Sequence, residues 1–208
     1  MSFTGFPAEV FEFFAAVVED TSWETVRALG ELHERAVRAP MDALTKELEA
    51  EFGPAKVYNL HRSPDLWTTQ YAYVSAVDTI ALGVSLSLDG LAVEGGWLRS
   101  STDQVERFRQ AVAAPAGASL GHVVADLRRA AYELLGETLR SAPRGYPADH
   151  PRADLLRHRS LVAVRELGRG RWLHGREAVG RVREEWRRLR PLTDWLAEHV
   201  GPRDVRGL

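Results

Sequence analysis

Apolar residues recur every three or four positions over the first 53 residues, which is the spacing of amphipathic helices. A first helix is predicted from Pro7, because proline suits the first helical position. Its apolar face is formed by Val10, Phe11, Phe14, Val17 and Val18. Thr21-Ser22-Trp23-Glu24 has the form of a capping box and predicts the start of a second helix. Pro40 is predicted to break or restart that helix, which then continues to Gly53-Pro54.

Between residues 55 and 99 the apolar positions alternate with polar or small ones, and this period of two predicts half-buried strands. Strands are predicted from Val57 to Arg62 and from Thr69 to Val77. The clearest alternation runs from Leu82 to Leu88, where leucine and valine are separated by glycine and serine. Asp89-Gly90 predicts a two-residue hairpin turn into the next strand. Gly95-Gly96 predicts a bulge that interrupts this strand.

Helical spacing returns after residue 100 and is interrupted by one more strand. Ser101 is predicted to cap a helix, and another helix is predicted from about Ser119 to Gly136. A strand is predicted over Ser160 to Leu167, followed by helices from Arg176 to Leu189 and again from Pro191. Helices followed by an antiparallel sheet and then by more helices predict an α+β protein.

Length and composition are those of one globular domain. The 208 residues are predicted to be helical over 1–53, to form the sheet over 55–99, and to form helices with one further strand over 101–200. The chain has no cysteine, which excludes disulfides, thiolate metal ligands and cysteine nucleophiles. No signal peptide is recognisable, and Tyr71 to Leu88 predicts a strand and not a membrane span. We therefore expect a cytoplasmic protein without a membrane partner.

The net charge of −2 conceals two halves of opposite charge. Residues 1–127 contain 9 Lys and Arg against 18 Asp and Glu, whereas residues 128–208 contain 18 against 11. Two interpretations stay open: the C-terminal half binds anions, or the halves pack together with complementary charge. The basic stretch 176–190 is predicted to be a solvated helix face and not a nucleic-acid site.

Candidate functional side chains are densest in the loop from Pro143 to Arg152, which contains a tyrosine, an acid, a histidine and two arginines. Pro147 and Pro151 fix their own φ angles and favour extended conformations before them, so the loop is expected to be rigid. Pro151 also suits the first position of a short helix, which Asp149 or His150 would cap. A rigid loop at a helix N-terminus can receive a small anion.

The residue types in and after this loop indicate two roles. Arg144 and Arg157 are candidates for pairing with an anionic ligand, and Tyr146 is a candidate for a hydrogen bond to it. Asp149 and His150 are candidate catalytic residues, since histidine titrates near neutral pH and an adjacent acid can tune it. The alternative is structural: Asp149 caps a helix, and His150 is a hydrogen-bonded loop residue.

A metal site would use His150, Asp154 and His158, which are spaced by four residues along one helix face. One straight helix rarely surrounds a zinc ion with three consecutive ligands, and the sequence offers no obvious fourth ligand. We predict neither a metal nor another cofactor.

The same loop is the centre of a resemblance to a known family. The stretches from Ala142 to Arg152 and from Leu155 to Leu161 resemble the actinobacterial branch of the domain of unknown function 2461 family. The likeness runs nearly end to end. It includes Phe3–Pro7, Val37–Met41, Asp89–Leu91, Gly95–Trp97 with Asp103-Gln104, and Trp186–Leu192. The resemblance implies a compact cytoplasmic α+β protein and no established activity.

The chain departs from that family between Arg62 and Val74. Typical members carry the run Arg-Asp-Val-Arg-Phe-Ser-x-Asp-Lys-x-Pro-Tyr-Lys. Arg62 and Tyr73 match it, whereas the later arginine, both lysines and both acids are replaced. If that run is the family's usual anion or phosphate site, the resemblance implies that this chain has largely lost it. Arg62 and Tyr73 then remain as ligand-binding candidates on a surface that Trp67 and Tyr71 make more aromatic.

The sequence thus favours a small-molecule-binding protein whose pocket lies between the sheet and the Arg144–His158 loop. It leaves open whether the protein is an enzyme of specialised metabolism that acts without a metal. The alternative is a non-catalytic binding or protein-interaction module that uses the basic helix over 176–190. Neither interpretation includes a nucleic-acid or membrane partner, and the oligomeric state stays open.

Overall fold

The computed structural model describes residues 2–58 and 64–204. Eight α-helices lie within these residues: α1 Val10–Glu19, α2 Trp23–Ala28, α3 Gly30–His33, α4 Ala39–Phe52, α5 Thr102–Ala113, α6 Ala116–Arg129, α7 Ala153–Leu156 and α8 Glu177–His199. Six strands lie within them: β1 Lys56–Val57, β2 Thr69–Val77, β3 Ile80–Ser87, β4 Gly90–Trp97, β5 Glu133–Leu135 and β6 Leu161–Gly168. There is also a π-helical turn, Glu34–Arg38, and two 3₁₀ turns, Pro64–Thr68 and Arg171–His174.

The six described strands form one antiparallel sheet in the order β1-β2-β3-β4-β6-β5. Both edge strands are short. Lys56 of β1 pairs with Tyr73 of β2, and Leu134 of β5 pairs with Ala163 of β6. Helices precede and follow the sheet along the chain, so the predicted α+β class is confirmed.

Two compact units can be distinguished, and each has its own buried residues. The first unit comprises Met1–Val74, Gly83–Val93 and Glu166–Glu185. Its buried side chains include Phe3, Phe6, Phe13, Phe14 and Met41. The second unit comprises Ser75–Leu82, Glu94–Arg165 and Trp186–Leu208. Its buried side chains include Trp97, Phe108, Trp186, Leu189 and Leu196.

The N-terminal helices follow the predicted pattern, except that the cap of α2 lies one residue later than predicted. α2 begins after Ser22, whose Oγ accepts a hydrogen bond from the backbone N–H of Thr25 at 3.2 Å. The helix therefore starts one residue later than a cap at Thr21 predicts. Pro40 is the second residue of α4, which follows the π-helical turn Glu34–Arg38 directly. The chain is helical on both sides of this proline, so the predicted break is not observed.

The strands of the first hairpins lie close to their predicted positions. β2 has the predicted bounds, Thr69–Val77. β1 is Lys56–Val57, so it shares Val57 with the strand predicted from Val57 to Arg62. Residues 59–62 of that prediction lie outside the described residues. The turn between β3 and β4 consists of Leu88 and Asp89, one residue earlier than predicted.

β4 continues through the two glycines that were predicted to interrupt it, and it ends at Trp97. Gly96 has a φ of +149°, and a Cβ atom on it would lie 2.2 Å from the carbonyl oxygen of Leu161 in β6. Glycine is therefore required here for the close approach of two neighbouring strands, and it does not end the strand.

The helix predicted from Ser119 to Gly136 is shorter than expected, because its last part joins the sheet. α6 ends at Arg129, and Ala131 takes a positive φ of 61°. Glu133–Leu135 then forms β5, which pairs antiparallel with β6. The backbone of this segment gains hydrogen bonds at the sheet edge, and this tertiary interaction overrides the local helical pattern.

α8 is one helix of 23 residues and not the two helices that Pro191 predicted. Pro191 removes one internal hydrogen bond, but the buried stripe continues past it through Leu192, Trp195 and Leu196. Burial of these side chains outweighs the missing bond, since each large apolar side chain contributes roughly 1.5–3 kcal/mol. Within the described part of the chain, no helix combines the length and the apolar character that a membrane span needs.

The segment after α8 holds the start of α5 in place within the second unit. The guanidinium of Arg203 donates to both carboxylate oxygens of Asp78, at 2.8 and 3.2 Å. The backbone N–H of Asp204 donates to Asp103 of α5 at 2.9 Å. Nε of Arg107 in α5 donates to the carbonyl of Val200 at 2.6 Å.

These contacts predict that acid loosens the segment. The pKa of Asp103 is lowered from 3.8 to about 2, first by the hydrogen bond with the Ser101 side chain and then by the Asp204 N–H. A lowered pKa in the folded state means that the contribution to stability is present above pH about 4 and is lost as the pH falls toward about 2. The protection factor of the Asp204 amide in hydrogen exchange should fall over this range. Asp103→Asn should flatten the pH dependence. A protection factor that stays constant would contradict the prediction.

Candidate functional site

A cavity of about 520 Å³ lies between α5 and the turn that contains Arg144. Its lining is formed by Thr102, Val105, Glu106, Arg109 and Gln110 of α5 and by Arg144, Gly145 and Tyr146 of the turn. All of these residues belong to the second unit. Two predicted ligand-binding residues, Arg144 and Tyr146, therefore line one cavity. Its other wall is a helix and not the sheet that the sequence predicted.

α5 presents polar side chains to the cavity because its opposite face is buried. Oε1 of Gln104 accepts a hydrogen bond from the backbone N–H of Ser101 at 3.2 Å, which fixes the first turn. Phe108 and Val112 are fully buried and set the rotation of the helix about its axis. Arg109 then lies on the side that faces the turn.

Arg152 holds the loop of Arg144 against the C-terminal end of α5. Its guanidinium donates hydrogen bonds to three carbonyl oxygens: Val112 at 2.6 Å, Ala113 at 3.1 Å and Ala114 at 3.0 Å. The last carbonyls of a helix have no partner within the helix and carry partial negative charge, so a cation is favoured there. Arg152 thereby fixes the position of the loop relative to α5.

The cavity lining carries two guanidinium groups against one carboxylate, that of Glu106. Arg109 is half-buried, and its Nε donates to the carbonyl of Leu156 at 3.2 Å. Burial lowers the pKa of Arg109, the nearby phenol of Tyr146 opposes this, and the charge of Arg159 adds to it. Arg144 is exposed and, within residues 2–58 and 64–204, has no hydrogen bond or ion pair through its side chain. Both guanidiniums can therefore bind an anion.

The proposed acid–base pair lies in the same loop but not in the cavity lining. Asp149 is exposed. Nδ1 of His150 accepts a hydrogen bond from the backbone N–H of Arg152 at 3.0 Å. The helix that follows begins at Ala153, so Pro151 does not occupy its first position as predicted. The catalytic roles of Asp149 and His150 stay predictions.

Two further predicted ligand-binding residues, Arg157 and Tyr73, are not part of the cavity lining. Arg157 forms an ion pair with Asp154, with 2.6 Å between Nη2 and Oδ1. Tyr73 is half-buried on β2 in the first unit, and Arg62 lies outside the described residues. Their roles in binding stay predictions.

The three side chains of the weak metal motif do not share a helix face. α7 has only four residues, so His150 precedes it and His158 follows it. His158 is buried, and its Nδ1 donates to the carbonyl of Ser160 at 3.1 Å. Burial lowers the pKa of His158, and the hydrogen bond to Ser160 opposes this effect. In the described ranges, no three His, Asp or Glu side chains are grouped so that they could hold a metal ion.

A second cavity, of about 590 Å³, lies along α4 in the first unit. Its charged side chains already have partners. Asp42 pairs with Arg38, with 3.6 Å between Nε and Oδ2, and Lys46 pairs with Glu49. A charged ligand would have to displace these pairs, which makes this cavity the weaker candidate.

Sequence reasoning did not find Arg109, which lies 35 residues before Arg144 in the chain. As a single arginine on an amphipathic helix it has the pattern of a solvated surface residue. The signal that identifies it is its position opposite the Arg144 turn, and that position depends on the long-range contacts of Arg152. No local motif in α5 could have identified it.

The fold places the protein in the α+β class, and comparison with known sequences gives the family. The chain belongs to the conserved hypothetical protein family DUF2461, whose sequence model matches residues 75–195, more than half of the chain. The match contains the whole cavity lining, whereas the motifs Phe3–Pro7 and Val37–Met41 precede it. No curated protein and no solved structure matches the chain.

Proposed function

We propose that the protein binds a small anionic molecule in the cavity between α5 and the Arg144 turn. The observation that carries this proposal is the pair of guanidiniums, Arg109 and Arg144, that line one cavity. Guanidiniums bind carboxylate and phosphate groups through charge-assisted and often bidentate hydrogen bonds.

The electrostatics of Arg109 favour an anion over a neutral ligand. Arg109 is half-buried, and this burial lowers the pKa of its guanidinium. An anion that enters the cavity would supply the charge stabilisation that water no longer supplies. Glu106 also lines the cavity and repels an anion, so the ligand is expected to approach the two arginines and to keep away from this carboxylate.

The size of the cavity fits a small molecule. Its volume of about 520 Å³ lies within the range of roughly 300–1,000 Å³ that is typical of ligand pockets. Tyr146 adds an aromatic ring and a hydroxyl group to the lining. An aromatic or other planar acid would use both the ring and the arginines.

Binding is proposed ahead of catalysis, because neither Asp149 nor His150 lines the cavity. Nδ1 of His150 is already engaged with the backbone of its own loop. A metal-independent enzyme of specialised metabolism and a protein-interaction module remain the alternatives. A cytoplasmic location is part of the proposal, and the absence of cysteine is compatible with it.

The test compares benzoate and phenyl phosphate with benzamide, which has the same ring but no charge. We expect the two anions to raise the melting temperature and benzamide to leave it unchanged, because a ligand that binds only the folded state stabilises it. Arg109→Met and Arg144→Ala should each weaken binding of the anions about tenfold or more, as measured by calorimetry. Arg144→Ala should change the unfolding free energy by less than about 0.5 kcal/mol.

Arg140→Ala is the matched control, since Arg140 is an exposed arginine of the same unit outside the cavity lining. It should bind the anions like the unmodified chain. Equal weakening by Arg140→Ala and Arg144→Ala would mean that net charge, and not the cavity, attracts the anions. That outcome would contradict the proposal, and so would an unchanged melting temperature with both anions.

A further inference from the structure

Three tyrosines come together at the β1 end of the sheet, within the first unit. On β2, Gln70, Ala72 and Val74 are buried, so Tyr71 and Tyr73 lie on the opposite face of the strand, where they are half-buried. Tyr58 follows β1 in the chain. Its backbone N–H donates to the carbonyl of Tyr71 at 3.0 Å, which fixes its position beside β2. We call Tyr58, Tyr71 and Tyr73 the tyrosine cluster.

The rings of the tyrosine cluster have two orientations. Tyr71 and Tyr73 are parallel within 7°, with 6.1 Å between ring centroids. Tyr58 stands at 84° to Tyr73, with 5.6 Å between centroids, and it is 41% exposed. Tyr73 therefore has one parallel and one perpendicular ring beside it.

The face of an aromatic ring carries partial negative charge, and it attracts a cation within about 6 Å of the centroid. One cation of this chain already takes such a position: Nζ of Lys56 lies 5.1 Å from the centroid of Tyr58. A lysine ammonium is small and strongly hydrated, so leaving water for a ring face costs it more than it costs an alkylated ammonium. An alkylated ammonium is therefore the better ligand for the same surface.

We propose that the tyrosine cluster binds the alkylated ammonium group of a small organic cation and that the side chain of Lys56 competes with this ligand. The proposal goes beyond the anion site, because it concerns different residues and the opposite ligand charge. The tyrosine cluster precedes residue 75, where the family match begins.

The first experiment separates charge from shape. Choline is titrated into the full chain up to millimolar concentration and compared with 3,3-dimethylbutan-1-ol, which has the same shape without the charge. Binding is measured by saturation transfer to the ligand methyl groups and by calorimetry. We expect choline to bind about tenfold more tightly than the neutral alcohol. Equal affinities would overturn the proposal, because a merely apolar surface binds both compounds.

The second experiment uses paired variants. Tyr73→Phe keeps the ring face and should keep choline binding, whereas Tyr73→Leu removes the ring and should abolish it. Lys56→Met removes the competing cation and should tighten choline binding by a few fold. Lys56 is exposed, so Lys56→Met is expected to fold. This variant still tests the proposal if Tyr73→Leu does not fold. Weaker binding by Lys56→Met, or unchanged binding by folded Tyr73→Leu, would overturn the proposal.

A negative result for the tyrosine cluster can be distinguished from a negative result for the anion-binding cavity. Choline binding should be insensitive to Arg144→Ala, and benzoate binding should be insensitive to Tyr73→Leu. A choline affinity that falls in Arg144→Ala would count against the tyrosine cluster as the site.

Discussion

Replacing Gly96 with alanine is expected to lower the free energy of unfolding by at least about 3 kcal/mol, since the change combines backbone strain with a steric clash in a buried strand. The φ of Gly96 is +149°, a value that side-chain-bearing residues rarely adopt. An added Cβ would also lie 2.2 Å from the carbonyl oxygen of Leu161. That oxygen belongs to the backbone of β6, which lies between β4 and β5 in the sheet and cannot shift without disturbing both neighbours.

The control for Gly96→Ala is Gly121→Ala in α6, where an added Cβ would have no atom within 4 Å. Alanine is favoured over glycine in a helix by about 1 kcal/mol, so this change should leave stability unchanged or raise it. Urea unfolding of both variants gives the comparison, provided that the m-values agree. A loss of less than about 1 kcal/mol in Gly96→Ala would contradict the close approach of β4 and β6.

Arg152→Ala is expected to cost roughly 2–4 kcal/mol and to weaken anion binding, although Arg152 does not touch the cavity. The variant removes three charge-assisted hydrogen bonds to the end of α5. Without them the Arg144 turn loses its fixed position relative to Arg109. The two guanidiniums then bind an anion only after the loop has been ordered, and this ordering reduces affinity.

Arg152→Lys tests whether geometry or charge matters at this position. A lysine ammonium is a single point of charge, and it cannot reproduce the fork with which a guanidinium reaches three carbonyls. We therefore expect Arg152→Lys to recover only a small part of the lost stability. If Arg152→Lys equals the unmodified chain in urea unfolding and in benzoate affinity, the hydrogen-bond fork is not what holds the loop.

The parts of the fold that the sequence predicted well are those decided by local patterns. β2 has its predicted bounds, Thr69–Val77, because this stretch is rich in aromatic and β-branched residues, which favour strands. Half-buried and buried side chains alternate from Thr69 to Val74. α5 begins at its predicted cap, Ser101, because the serine and Gln104 satisfy the first backbone N–H groups without help from elsewhere.

The parts that were predicted wrongly are decided by distant residues. Glu133–Leu135 has a helical pattern, but β6 offers it hydrogen bonds at the sheet edge. Pro191 is a local helix breaker, but the burial of Trp186 and Trp195 on either side keeps the helix continuous. Local rules cannot weigh such contributions, since the partner is not visible in the same stretch of sequence.

The candidate site was likewise predicted only as far as local patterns decide it. The sequence identified Arg144 and Tyr146 because the loop concentrates functional residue types. It could not identify Arg109, and it grouped Asp149 and His150 with the site because they share the loop. Asp149 and His150 do not line the cavity, and their catalytic roles stay predictions. The position of the loop depends on the contact of Arg152 with carbonyls about 40 residues earlier, which no local pattern reveals.

The lengths of the outer strands of the sheet affect how the protein behaves at high concentration. β1 has two residues and β5 has three, whereas the four strands between them have eight or nine. A second chain that adds a strand at either side could form a ladder with only a few backbone hydrogen bonds, which is too little to offset the entropy of association. β1 and β5 are therefore poor templates for the addition of a strand from a second chain.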